Sequence, residues 1–255
     1  MNKINIIEKI LFINKLMRLD QYVTEKTGLT KNKAQAMLKA DAVLVNGKIE
    51  TKSGFKLKET DIVEISQTDE SKYVARSAIK LKKYLEAFPR DLKWKIVLDI
   101  GSSTGWFCQI LLEQEVSKIY AVDVWTSQLH DILRERKEIV SLENTDIRDL
   151  KFLPEQVDFI TCDVSFIKLD MILDSIIYHI WENTVAFLLF KPQFEVWKNH
   201  VNRKWVVREE KYTIRELNNF LDICRAKWLK INKVEKSEMK WENWNEEIFI
   251  EVQKK

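Results

Sequence analysis

The spacing of apolar positions changes several times along the chain. In residues 17–66 it begins as helical: Leu19, Tyr22 and Val23 recur at helix spacing with Gly28 as a stop, and Thr30 caps a second helical stretch that carries Lys31, Lys33 and Lys39. The period then drops to two. Residues 42–50 hold an Asn46-Gly47 turn between short strands, and residues 61–66 alternate apolar with polar. Residues 67–72 are polar and predict a linker.

From 73 to 255 the pattern is different. The apolar runs 95–100, 118–124, 157–164 and 184–190 have strand length, and helical patterns lie between them at 107–114, 127–137 and 169–180. Strand–helix alternation of this kind predicts a mostly parallel, doubly wound α/β sheet. The runs 230–239 and 245–254 lack a long helix between them and predict an antiparallel edge pair. The expected organisation is a small α+β domain at 17–66 followed by a larger α/β domain at 73–255.

Composition narrows the class. At 45% hydrophobic and 32% charged, the chain has material for a core and a soluble surface. No run of about 18 apolar residues predicts a membrane span. The short apolar run near the N-terminus is interrupted by Glu8 and Lys9 and has no small-residue cleavage site, so it does not read as a signal peptide; Met17 is an alternative start. Cys108, Cys162 and Cys224 are far apart and odd in number, which fits a reducing cytoplasm rather than a disulfide framework. His130, His179 and His200 show no ligand spacing, so no metal is expected. The net charge of +3 says little by itself. An excess of Lys and Arg over acids in the first 58 residues predicts either a phosphate footprint or a solvated basic face.

Ligands of doubly wound sheets sit beyond the carboxyl ends of the strands. Asp99, Gly101, Ser102, Thr104 and Gly105 follow the first strand of the larger domain. A glycine turn lets backbone approach a ligand, and an acid at the strand end suits a cationic amino group better than a pyrophosphate. Asp123 closes the next strand, where a carboxylate can accept both ribose hydroxyls of a nucleoside. Asp146 follows a short strand at 138–142 and is placed either to meet an adenine amino group or to cap a helix. Asp163 ends the fourth strand. Lys191 ends a buried strand just before Pro192; a lysine there is costly unless it faces the ligand cleft.

Two resemblances follow. RLDQYV, the K-N-K-A-Q helix and V-L-V-N-G-K resemble the small RNA-binding module of a primary-binding small-subunit ribosomal protein, pseudouridine synthases and tyrosyl-tRNA synthetases. It implies RNA contacts by Arg18, Lys31, Lys33, Lys39 and Lys48. YVARSAIKL, DIGSSTG-F, YAVDV--QL, DVSFIKL, LFKPQFE and N-EE-F resemble the TlyA (haemolysin-like) family of ribosomal RNA ribose methyltransferases, over residues 17–255. This resemblance implies a Rossmann-like class I methyltransferase domain of the FtsJ/RrmJ type, S-adenosylmethionine as cofactor, and ribosomal RNA or ribosomal subunits as partner, with cytidine 2′-hydroxyls in 16S or 23S RNA as target. It implies a catalytic set of Lys80, Asp163, Lys191 and Glu247, with Glu246 as the alternative to Glu247. In that chemistry Lys191 takes the ribose proton, helped by burial and the like charge of Lys80, while Asp163 and Glu247 orient the lysines. The implied cofactor contacts are Asp99, Gly101, Ser102, Thr104, Gly105, Asp123 and Asp146.

One departure from the family pattern is systematic. The chain has five glycines and nine tryptophans, where about 7% glycine, roughly 18 residues, is usual. Trp106, Trp125, Trp197, Trp205 and Trp244, and also Trp94 and Trp241, stand at glycine-like positions. Tryptophan offers neither positive φ nor close backbone approach. The expectation is a UGA codon read as glycine by the source cell and written as tryptophan, with Trp106 and Trp125 crowding the cofactor loops in the chain as written.

Three rival readings remain. An RNA-binding protein with a degenerate methyltransferase domain would share every feature except a working site. A nicotinamide-dependent oxidoreductase would want G-x-G-x-x-G, and this chain has G-x-x-x-G. A membrane-lytic protein would need a long apolar or amphipathic segment, which the sequence does not contain.

Overall fold

The computed structural model describes residues 5–9, 17–28, 30–39, 42–58, 60–66, 78–237 and 245–255. The predicted linker at 67–72, Trp241, Trp244 and the side chain of Lys33 lie outside the described residues. Contacts divide the chain into units Met1–Ile79 and Lys80–Lys255.

The first unit packs helices α1 (Leu19–Thr27) and α2 (Lys31–Lys39) on a four-stranded sheet. β1 (Asn5–Lys9) pairs antiparallel with β4 (Ile62–Ser66), which pairs with β2 (Val43–Val45), which pairs with β3 (Lys48–Ile49). The sequence pattern missed β1, because a five-residue strand at a chain end has no turn signal before it. Gly28 ends α1 at φ 69, donating to the Thr24 carbonyl at 3.0 Å. Asn46 (φ 52) and Gly47 (φ 74) make the tight turn between β2 and β3. Leu19, Val23, Met37, Leu38, Val43 and Val63 fill the core.

The second unit holds a seven-stranded sheet in the order β10-β11-β9-β8-β5-β6-β7. The parallel strands are β5 (Ile96–Ile100), β6 (Lys118–Val122), β7 (Ile139–Leu142), β8 (Phe159–Cys162) and β9 (Val185–Phe190). β10 (Leu229–Lys236) and β11 (Ile248–Lys254) form the antiparallel end, β11 running antiparallel to β9. Helices α3 (Ala78–Ala87), α4 (Trp106–Glu113), α5 (Asp131–Arg134), α6 (Asp170–Tyr178), α7 (Pro192–Glu195) and α8 (Glu210–Ala226) complete it. The helix expected over 127–137 is a single turn, because the stretch lays out Ser127 at φ 56 and starts only at the His130 cap. The 17-residue α8 was not anticipated; its buried side is narrow, with Phe220, Leu221 and Cys224 as its buried residues.

Strand order reverses between β5 and β8, since β5 is flanked by β6 on one side and β8 on the other. That switch point opens a crevice at the carboxyl ends of β5, β6 and β8. Pro192 starts α7 directly after β9, so Lys191 is held at its N-terminal cap.

Candidate active site

The crevice contains a cavity of about 230 Å³, lined among others by Gly101, Ser103, Asp123, Asp146, Asp163 and Ser165. Gly101 has φ 77, and a Cβ there would come 2.8 Å from the Asp163 carbonyl oxygen. Only glycine lets β5 and β8 close on each other at the mouth. Asp123 is buried, and its two oxygens accept from the backbone N–H groups of Ser103 (2.8 Å) and Trp125 (2.9 Å). Those bonds fix its direction and leave further lone pairs for hydroxyl donors. Asp146 lines the wall and is clasped by Arg148 through the backbone N–H and two guanidinium nitrogens at 2.6–2.9 Å. The Arg148 side chain holds the Asp146 carboxyl below its ordinary range. It caps a turn rather than a helix.

Four expected cofactor contacts stand behind this lining. Asp99 is buried and accepts from the Thr161 hydroxyl (2.6 Å) and the Cys108 thiol (3.1 Å). Burial pushes its carboxyl up to about 6. It lies behind the turn, outside the cavity lining. Ser102 is buried, with its N–H on the Val122 carbonyl (3.1 Å). Thr104 gives its carbonyl to the His130 N–H (3.3 Å). Gly105 sits at φ 87, where a Cβ would meet Leu133 at 2.5 Å and Leu129 at 2.7 Å; it is needed for packing. Sequence reasoning passed over Ser103 and Gln128, whose side chains bond at 3.0 Å, and Ser165. The serine beside Asp163 in D-V-S-F was the available signal.

The four residues of the implied catalytic set form two ion pairs. Lys191 Nζ lies 2.5 Å from Asp163 Oδ1 and 3.0 Å from Ser165 Oγ. Their side chains are 9% and 1% exposed, so water screens this pair little. Lys80 Nζ lies 2.6 Å from Glu247 Oε2. Glu246 instead pairs with Lys236 at 2.7 Å. β11 and β9 register Ile248 with Phe190, so Glu247 and Lys191 each adjoin the last paired residue at the carboxyl end of β9. Glu195, in the same KPQFE stretch, accepts from the Leu169 N–H (3.0 Å) and ties α7 to the start of α6. Burial pushes its carboxyl up to about 7. Phe166 stands beside Asp163 at φ 65, exposed, on the cavity wall.

In the first unit, Lys31, Lys39 and Lys48 are exposed. Arg18 is half-exposed, but its Nε and Nη2 are each 2.9 Å from Asp20, and Nη1 lies over Gly54. The Arg18 guanidinium holds the buried Asp20 carboxyl well below its usual range.

Comparison with known proteins follows the two units. Residues 73–254 match the FtsJ-like methyltransferase model and residues 17–63 match the S4 domain. A 23S rRNA (cytidine-2′-O)-methyltransferase TlyA from Campylobacter jejuni is 39% identical over 91% of this chain and 98% of its own length. A 16S/23S rRNA (cytidine-2′-O)-methyltransferase TlyA from Mycobacterium tuberculosis is 31% identical over 75% of this chain and 73% of its own. A haemolysin-type structure from Streptococcus thermophilus superposes with TM-score 0.70 at 27% identity, covering 94% of this chain and 88% of that one. The chain belongs to the TlyA branch of the FtsJ-like methyltransferases, with an S4 domain ahead of the catalytic fold.

Proposed function

We propose that this chain methylates ribose 2′-hydroxyls of ribosomal RNA, at cytidine, in the cytoplasm, with S-adenosylmethionine as methyl donor. The supporting observation is the buried Lys191–Asp163 pair, whose Asp163 lines a nucleoside-type cavity, together with the pairing of Lys80 to Glu247.

The residues present suit that cofactor. Gly101 leaves no room for a side chain where the turn passes Asp163, Asp123 is aimed by two backbone donors, and the Asp163 oxygen that does not meet Lys191, Oδ2, is buried without a hydrogen-bond partner. Asp123 would hold the ribose hydroxyls and Asp146 the adenine edge, with Gly101 and Ser103 offering backbone. When bound, S-adenosylmethionine supplies an electrophilic methyl group on a sulfonium. The remaining work belongs to the protein. A ribose hydroxyl is a weak nucleophile and must shed its proton as the O–C bond forms. Lys191 Nζ, held by Ser165, passes a proton to the Asp163 carboxylate and takes the ribose proton in its place. The Lys80–Glu247 pair holds the second ammonium near the reacting oxygen at no net charge. Holding nucleophile and methyl in line contributes the larger part of the rate. Phe166 offers a ring face for the target base. Domain limits of 17–66 and 73–255 give the S4 unit the task of gripping RNA through Lys31, Lys33, Lys39, Lys48 and the free side of Arg18.

Transfer of tritium from labelled S-adenosylmethionine to ribosomal subunits tests the proposal. Label should enter the RNA and vanish with Lys191→Ala. Equal labelling by that variant refutes it; S-adenosylmethionine-independent RNA binding with no labelling favours the non-catalytic reading.

A further inference from the structure

Glu251 is a carboxylate in mid-strand on β11, 2% exposed, in a position where a charge is costly unless it is fully partnered. It is partnered. The Tyr84 hydroxyl lies 3.3 Å from Oε2, Asn232 Nδ2 is 3.1 Å from Oε1, and the Arg90 guanidinium closes on Oε2. Tyr84 stands one helical turn after Lys80 on α3, and Glu251 stands on β11, which Glu247 directly precedes. Helix and strand are therefore linked twice, at Lys80–Glu247 and at Tyr84–Glu251. Between these links the helix rests on rings: Tyr84 is 4.4 Å from Phe187 and 5.1 Å from Phe249. Ring packing is non-directional and permits α3 to turn about its axis, whereas a directional hydrogen bond does not.

We propose that Glu251, through Tyr84 and Arg90, is a positioning residue that fixes the rotation of α3 and so the reach of Lys80 to Glu247. The inference rests on the function proposed above. Glu251→Gln should lower kcat about ten-fold or more while the Kd for S-adenosylmethionine and the KM for RNA stay within about two-fold. Tyr84→Phe, which keeps the ring, should act in the same direction by less, and carries the test if Glu251→Gln fails to fold. Phe187→Leu, which removes ring packing from Tyr84 but keeps every polar partner of Glu251, should lower Tm and leave kcat unchanged. An equal loss of kcat in Phe187→Leu, or Glu251→Gln with full kcat, overturns the positioning role. A Lys80→Ala variant with wild-type kcat overturns it too, by sinking the reading of the site itself.

An independent observation concerns the tryptophans. Trp94, Trp205 and Trp228 have φ 62, 61 and 62, a conformation that side-chain-bearing residues rarely adopt. All three are exposed, at 72%, 46% and 75%, so burial does not repay the strain. Each backbone N–H is bonded: Trp205 to the Asn202 carbonyl and Trp228 to the Arg225 carbonyl within turns, and Trp94 to the distant Glu115 carbonyl. Trp228 follows the Lys227 cap of α8, the position where helices end on glycine. At the cavity, Trp106 buries an indole N–H with no partner, and Trp125 is 67% exposed. The remaining space, about 230 Å³, is below the about 300–1,000 Å³ of ordinary ligand sites.

We infer that positions 94, 205 and 228 are glycine in the protein as its own cell makes it, with UGA read as glycine; Trp106, Trp125 and Trp197 do not have positive φ. Peptide mass spectrometry of the protein purified from its source should give glycine masses at these positions, and the gene should show UGA. Tryptophan masses or UGG codons overturn the inference. In recombinant protein, Trp94→Gly, Trp205→Gly and Trp228→Gly combined should raise Tm by roughly 5–10 °C. An unchanged or lower Tm overturns the conformational argument.

Discussion

Asp163→Asn separates what the Lys191–Asp163 pair does for the fold from what it does for the reaction. The two charges sit 2.5 Å apart with side chains 9% and 1% exposed. At an effective dielectric near 20 their attraction is about 7 kcal/mol, and desolvation of each ion takes back much of it. Removing one partner strands the other as a buried charge, at a cost of about 3–5 kcal/mol. For a chain of this size that corresponds to a Tm lower by roughly 6–20 °C. Asp163→Asn combined with Lys191→Met exchanges the pair for neutral groups of similar volume. Such replacements are neutral or stabilising by about 1–4 kcal/mol, so the double variant should melt near the wild type. Calorimetry and the tritium assay on the same preparations read both effects. The single variant should lose stability and transfer, and the double variant should recover stability alone. A single variant that melts with the wild type, or a double variant that still transfers methyl groups, refutes the reasoning.

Glu195→Gln should change the pH dependence of stability. The Glu195 carboxyl is raised by burial to about 7, so the folded state binds its proton more tightly than the unfolded chain does. Its contribution is complete below the ordinary carboxylate range and lost as pH rises through about 7, a change of about 3 kcal/mol. Melting curves should show the variant more stable than wild type at pH 8 and equal at pH 4; an equal shift at both pH values contradicts this. Asp123→Ala should weaken S-adenosylmethionine binding at least ten-fold by calorimetry, since two backbone donors aim that carboxylate; unchanged affinity would remove it from the site. Lys31, Lys39 and Lys48 changed together to Ala should weaken RNA binding and reduce the salt slope by about 2–3, and an unaltered slope would clear them of phosphate contact.

The parallel strands were legible because their apolar runs are continuous, and the acid or glycine that ends each run marks the ligand edge. Lys191 could be placed before any coordinates, since Pro192 must end the strand. The partner of Lys80 could not, because Glu246 and Glu247 differ by one step of a strand whose start has no sequence marker. The ion pairs separate them, with Glu247 on Lys80 and Glu246 on Lys236. Asp99 and Gly105 stand outside the cavity lining, a distinction that local spacing does not carry. α8 escaped because a helix with one narrow buried side resembles a polar loop.

The most direct measurement is the ribose methylation of ribosomal RNA in source cells with and without this gene, by nucleoside digestion and mass spectrometry. The account predicts 2′-O-methylcytidine at a defined ribosomal position when the gene is present and its loss when the gene is deleted. An identical methylation map in both strains would contradict it.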